Sequence, residues 1–200
     1  MAALVGKPAP RFALDAMLRG DFTTVRSDEL KGRWTVLLFY PLDFTFVCPT
    51  ELLAFSDRLD EFHELGADVF GVSIDSKFTH LAWSRQPRRE GGVEGLRYAL
   101  LADVNRDACY AYGVLTEEGV ALRATFVIDP DGIVQHATVN NLSVGRSVDE
   151  ALRVLAACQV ARESGEVCPA NWKPGRETMK PDVRDAREFF HRAAVEHAAA

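Results

Sequence analysis

The run Trp34-Thr35-Val36-Leu37-Leu38-Phe39-Tyr40 places large apolar side chains at both odd and even positions. A strand alternates its side chains between two faces, so such a run must be covered on both. That requirement points to the inside of a parallel sheet with helices above and below it. The run is also far shorter than the roughly 20 residues a membrane-spanning helix needs. Over 200 residues, hydrophobic types reach 48% and charged types 26%. This is enough apolar surface for one packed domain and excludes a disordered tail protein. A formal net charge of −6 argues against general nucleic-acid binding, which needs clustered cations. The basic stretch Arg85–Arg89 is followed at once by acidic residues and glycines and reads as a solvated loop.

Other elements follow from periodicity. Leu52, Phe55, Leu59 and Phe62 step by three and four, predicting one helix from Pro49 to about His63, with Gly66 just past its end. Asp68–Ile74 and Leu96–Ala102 read as strands, Phe78–Trp83 and Asp107–Tyr112 as short helices. Ala124–Ile128 and Ile133–Val139 flank Asp129-Pro130-Asp131-Gly132, which has the turn chemistry of a hairpin. Phe12–Leu14 and Phe22–Val25 suggest a second, small hairpin near the N-terminus. Ser147 to about Ala161 reads as a helix opened by a Ser147/Glu150 capping box. Strand–helix–strand followed by hairpin–helix is the order of an α/β, thioredoxin-like fold: a central mixed sheet flanked by helices. After Cys168, Pro169, Pro174 and Pro181 interrupt the chain before a last amphipathic helix from Val183. The expected organisation is a core domain over residues 1–162 and a C-terminal arm over 163–200. The stretch Met1–Pro8 lacks the basic start and long apolar core of a signal peptide, so a cytoplasmic protein is expected.

Cysteines stand at 48, 109, 158 and 168, without C-x-x-C or a His pair at metal-ligand spacing, which disfavours structural zinc. Cys109 and Cys158 lie among apolar residues of predicted helices and read as packing residues. Cys48 is different. It ends the loop after the buried strand, and Pro49 suits the first helical position, placing the sulfur at or beside a helix N-cap. Unpaired N–H groups and the positive end of the helix dipole favour a thiolate there. Glu51 falls where a capping-box glutamate would fix the first turn. A buried cysteine can equally be a small apolar filler. Glu51 also stands where a dithiol oxidoreductase would need its second cysteine, so exchange within one turn is impossible.

Pro41-x-x-x-Thr45-x-x-Cys48-Pro49-Thr50-Glu51 resembles the active-site signature of the peroxiredoxins. The likeness continues through Phe78-x-His80-Leu81-Ala82-Trp83, Arg123, Asp129-x-x-Gly132, Val144–Glu150 and Gly165-Glu166-Val167-Cys168-Pro169 to Trp172-Lys173-Pro174-Gly175. It spans roughly residues 5–190 and is similar to the typical 2-Cys group, which includes the alkyl hydroperoxide reductase peroxidase subunit.

The resemblance implies a thiol-dependent peroxidase acting on hydrogen peroxide and organic hydroperoxides without metal, haem or flavin. Cys48 would be the peroxidatic thiol, and Thr45 would align the peroxide. Arg123 would hold the thiolate, and Pro41 would wall off water. Cys168 would be the resolving thiol, forming a disulfide with Cys48 of a partner subunit. Glu51, Arg146 and Trp83 would support the site. By residue type alone, Thr45 could instead bond its own loop and Arg123 could be a surface charge at a strand end. Implied partners are a thioredoxin-like or flavoprotein dithiol reductase and a second copy of the chain, with dimers assembling into rings through the Phe78–Trp83 region. No nucleic acid or membrane partner is implied. A holdase role of the oligomer is a rival reading. Where sensitive members carry Gly-Gly-Leu-Gly and Tyr-Phe, this chain has Gly91-Gly92-Val93-Glu94-Gly95 and Phe189-Phe190, implying partial sensitivity to overoxidation.

Overall fold

The computed structural model describes residues 3–198, so Met1 and Ala2 of the N-terminal stretch read above lie outside it. Seven strands form one mixed sheet: β1 (Ala13–Leu18), β2 (Asp21–Arg26), β3 (Trp34–Phe39), β4 (Ala67–Ser73), β5 (Ala99–Ala102), β6 (Arg123–Ile128) and β7 (Val134–Asn140). The helices are α1 (Cys48–Asp57), α2 (Leu59–Glu64), α3 (Lys77–Ser84), α4 (Asp107–Ala111), α5 (Val148–Ser164) and α6 (Val183–Ala198). The chain forms two compact units, Met1–Val148 and Asp149–Ala200. The sheet and α1–α4 lie in the first, and α5 groups with the C-terminal residues.

The sheet order is β2-β1-β5-β4-β3-β6-β7. Strand β3 is buried at every position, and it is flanked by parallel β4 and antiparallel β6. Strand β3, apolar but for Thr35, therefore sits where neither face meets water, as its composition demands. Both expected hairpins are present, β1–β2 and β6–β7. Gly71 of β4 lies where a Cβ would stand 2.7 Å from Leu100 Cδ2, so a larger residue would have to displace that buried side chain. The core of this unit is built from Leu37, Phe39, Leu101, Tyr112 and Phe126, with Phe39, Tyr112 and Phe126 in mutual ring contact.

Three local expectations change. The single helix predicted from Pro49 to His63 is two, because Arg58 (φ −107°, ψ 18°) leaves the helical region. Leu52, Phe55, Leu59 and Phe62 are buried across the break, so the apolar face keeps its phase. The strand predicted from Leu96 begins only at Ala99: the Leu96 N–H goes to Val93 O and that of Arg97 to Ser56 Oγ, outside the ladder. Glu51 makes no capping box; α1 has no side-chain cap, and the carboxylate is used elsewhere.

Register sets up the site. In the β3–β6 pair Phe39 faces Ala124, so Arg123 opens β6 beside the point where β3 releases the chain into the loop 40–47. That loop returns to begin α1 at Cys48, whose first turn accommodates Pro49.

Candidate active site

Cys48 is fully buried at the first residue of α1. Two side-chain donors reach its sulfur. Thr45 Oγ1 lies 2.8 Å from Sγ, and Arg123 Nη1 lies 3.3 Å from it. Thr45 Oγ1 is also 2.9 Å from Leu42 O. A hydroxyl carries one hydrogen, so it serves either the carbonyl or the sulfur at a given moment. Both alternatives weighed for Thr45 thus share one rotor. Its switch to Sγ leaves the oxygen's lone pairs free to meet an incoming group.

Arg123 is 4% exposed, which removes the surface-charge reading. Its Nε–H donates to Leu142 O (2.7 Å), and Nη1 bridges Cys48 Sγ and Glu51 Oε2 (2.7 Å). Burial opposes the charged guanidinium, but the sulfur and the carboxylate hold its pKa above the ordinary arginine value.

Glu51 organises the arginines. Oε1 accepts from the Arg146 backbone N–H (2.8 Å) and Nε–H (2.7 Å); Oε2 accepts from Arg123 Nη1 and Arg146 Nη2 (3.1 Å). Burial alone would raise the carboxyl's pKa; the hydrogen bonds and charge of Arg146, with the charge of Arg123, bring it below the ordinary value. The remaining Arg146 donor, Nη1, reaches Phe39 O (3.0 Å) and Ala124 O (2.7 Å). One guanidinium therefore ties the helix carboxylate to the ends of β3 and β6. An arginine fork has the donor geometry for this, which a lysine lacks.

Pro41 is buried at the start of the loop. Trp83 is fully buried in α3, donates from Nε1 to Gly91 O (2.9 Å), and packs against the rings of Tyr40 and Phe44. Through those two rings it supports the loop. Pro41, Thr45, Cys48, Glu51, Arg123 and Arg146 are thus gathered at one end of β3. Sequence reasoning missed Asp43 and His80, buried side chains paired beneath the same loop. Thirty-seven residues separate them and neither has a motif pointing to the other.

Cys168 lies in the second unit, next to an antiparallel bridge between Val167 and Met179. Its thiol is half-buried and directed at Ala157 O (3.6 Å). Burial pushes that thiol's pKa up, against the pull of Arg153, which Glu150 and Trp172 O hold in place. Cys109 is fully buried with its pKa above the usual thiol range, first from burial and then from Asp103, as suits an inert packing residue. No group of three or more metal-ligating side chains occurs among the described residues.

A buried cysteine at a helix start thus faces a hydroxyl and a guanidinium where an interior strand of an α/β, thioredoxin-like sheet ends, an arrangement suited to thiol chemistry. Comparisons with known proteins agree. The AhpC/TSA family model matches residues 5–137, and the model described as the C-terminal domain of 1-Cys peroxiredoxin matches 157–190. Peroxiredoxin-2 from Bos taurus is 57% identical over 189 residues, covering 94% of this chain and 95% of that protein. A thioredoxin peroxidase from Echinococcus granulosus is 51% identical over 191 residues, covering 95% and 99%. The structure of reduced 2-Cys peroxiredoxin from Plasmodium vivax superposes with a TM-score of 0.93 at 44% identity, covering 95% of this chain and all of that one. The chain belongs to the AhpC/TSA family, the peroxiredoxins, and is a thiol-dependent peroxidase.

Proposed function

We propose that Cys48 is the peroxidatic thiol and Cys168 the resolving thiol of a typical 2-Cys cycle. The observation that carries this reading is the pair of donors, Thr45 and Arg123, converging on one buried sulfur. The Cys48 thiolate attacks one peroxide oxygen, the O–O bond breaks, and the departing oxygen leaves as water or alcohol after taking a proton. Negative charge moves from sulfur to oxygen during this displacement. Thr45 and Arg123 already sit along that path and need no reorganisation to meet it. Cys48 is left as a sulfenic acid. The Cys168 thiolate of a partner subunit then attacks the Cys48 sulfur; the S–O bond breaks, the hydroxide leaves as water after taking a proton, and the intersubunit disulfide forms. A dithiol protein, thioredoxin-like or a flavoprotein-linked donor, reduces that disulfide by exchange. Pro41, fixed in φ and lacking an N–H, forms a stiff dry wall beside the sulfur.

The assembly we infer is a homodimer that associates into rings. Supporting it, Phe22 and Phe78 are exposed and meet edge to face at 5.2 Å, with Lys77 Nζ over the Phe22 ring. Such a contiguous aromatic surface suits burial against another subunit. We place the protein in the cytoplasm; no helix among the described residues is long and apolar enough to cross a membrane.

Non-reducing electrophoresis after one equivalent of peroxide tests the cycle. A dimer-sized band that forms in the native chain and is lost in both Cys48→Ser and Cys168→Ser supports the two sulfur roles. A band surviving either substitution refutes them.

A further inference from the structure

The loop between Tyr40 and Cys48 is held from below by a buried polar cluster that the peroxidase reading does not use. Tyr40 Oη–H donates to Asp43 Oδ1 (2.8 Å), and His80 Nδ1 lies 2.8 Å from Asp43 Oδ2. The Asp43 backbone N–H donates to Asp75 Oδ2 (2.9 Å), which also accepts from Ser73 Oγ. On its far side His80 Nε2 lies 3.3 Å from Leu101 O. The side chains of Asp43 and His80 are both fully buried. The loop's single non-glycine left-handed residue, Phe44 (φ 55°), immediately follows Asp43, and Thr45 comes next.

Proton counting constrains this cluster. A carbonyl only accepts, so Nε2 must carry a hydrogen toward Leu101. Between Nδ1 and Oδ2 one proton is then required, on either atom. With none, two acceptors would face each other between fully buried side chains; with two, two donors would. The pair is therefore overall neutral while tied to three elements: the end of β3 through Tyr40, α3 through His80, and β5 through Leu101. Burial, the largest influence on Asp43, raises its pKa, with His80 opposing, which suits a carboxyl that shares a proton.

We propose that Asp43 and His80 are positioning residues of the peroxidase reaction: their one-proton bond fixes the strained turn at Phe44 and so aims the Thr45 hydroxyl at Cys48 Sγ. The proposal deepens the function assigned above and rests on it. The bond spans the loop and α3, so its loss frees the turn without touching Cys48, Arg123 or Glu51.

The test compares two reactions of Cys48 in single turnover: peroxide reduction, which needs Thr45 aimed at the sulfur, and alkylation by iodoacetamide, which does not. His80→Gln can keep the contact to Leu101 but not that to Asp43; His80→Asn can keep the contact to Asp43. Asp43→Asn can donate to a neutral His80 Nδ1 and accept from Tyr40, completing the same network without a shared proton. His80→Gln is expected to lower the peroxide rate constant about tenfold, a loss of ~1.4 kcal/mol in barrier terms, with alkylation unchanged. His80→Asn and Asp43→Asn should recover most of the native ratio of peroxide to alkylation rates. A native ratio in His80→Gln, or an equal loss in all three variants, overturns the proposal. Should His80→Gln fail to fold, 15N-imidazole spectra of the native protein decide: one proton on the Nδ1–Oδ2 line supports the bond, and a bare Nδ1 facing an ionised carboxylate refutes it. An absence of peroxide reactivity in the native chain, with alkylation intact, would instead sink the peroxidase reading itself.

Discussion

Replacing Glu51 by Gln changes one atom and removes the charge on which two buried arginines depend. Each carboxylate oxygen accepts two N–H donors, Oε1 from Arg146 and Oε2 from Arg123 and Arg146. The amide of Gln has one oxygen. Whichever way it turns, its NH2 faces two donors, so two charge-assisted bonds vanish and two guanidiniums lose their carboxylate. Breaking a buried ion pair from one side costs about 3–5 kcal/mol, and two lost bonds to charged groups at about 1.5–3 kcal/mol each give a similar figure. Glu51→Gln is therefore expected to lower unfolding free energy by ~3–5 kcal/mol at neutral pH. The folded-state pKa of Glu51 lies below its ordinary value of 4.5. Its contribution is full above that value and is lost as pH falls through the lower, folded-state value. Urea unfolding followed by tryptophan fluorescence at a series of pH values should show a wide gap between native and variant at neutrality, closing in acid. A gap below ~1 kcal/mol at neutral pH, or one that does not shrink on acidification, would refute the central role given to this carboxylate.

Three further outcomes are expected. Thr45→Val removes one preorganised donor and should slow single-turnover peroxide reduction by about 10²–10³-fold, while Thr45→Ser should recover most of the rate; rapid-mixing kinetics measure both. Because burial raises the Cys168 pKa and the thiolate is the attacking species, disulfide formation from the sulfenic acid should quicken as pH rises through the alkaline range, and a rate flat with pH would contradict the assignment. Under excess peroxide with a cycling reductant, mass spectrometry should find sulfinic acid at Cys48 accumulating partially over many turnovers, since the resemblance aligns Phe189–Phe190, which lacks a tyrosine hydroxyl, with the Tyr-Phe of sensitive members; its absence at high turnover removes that expectation.

Much of this was legible in the chain. Strand β3 declares its double-sided burial in its own composition, the β6–β7 hairpin announces itself through turn residues, and the β1–β2 hairpin shows in alternating stretches. The Cys48-Pro49 junction marks a helix start by local chemistry alone. What escaped depends on contacts between distant segments. Glu51 looks like a cap because three-residue spacing is a local signal, whereas its true partners lie 72 and 95 residues away. The break at Arg58 leaves the apolar phase intact, so periodicity is blind to it. The late start of β5 is decided by Ser56 capturing the Arg97 amide, a capture no propensity encodes. Asp43 and His80 carry ordinary residue types at unremarkable spacing, and only the fold makes them neighbours.

Arg146 spends its last donor on the carbonyls of Phe39 and Ala124, at the point where two central strands run out of ladder. One guanidinium thus joins the helix that carries the sulfur, through Glu51, to fully buried backbone at the ends of two central strands. In the cycle proposed above, a first turn of α1 that swings out takes Glu51 with Cys48, while the bonds from Arg146 to Phe39 O and Ala124 O do not depend on that turn. Such a cycle would leave one guanidinium waiting at a fixed place for the returning carboxylate, a guide that would reseat the sulfur in the same position each time.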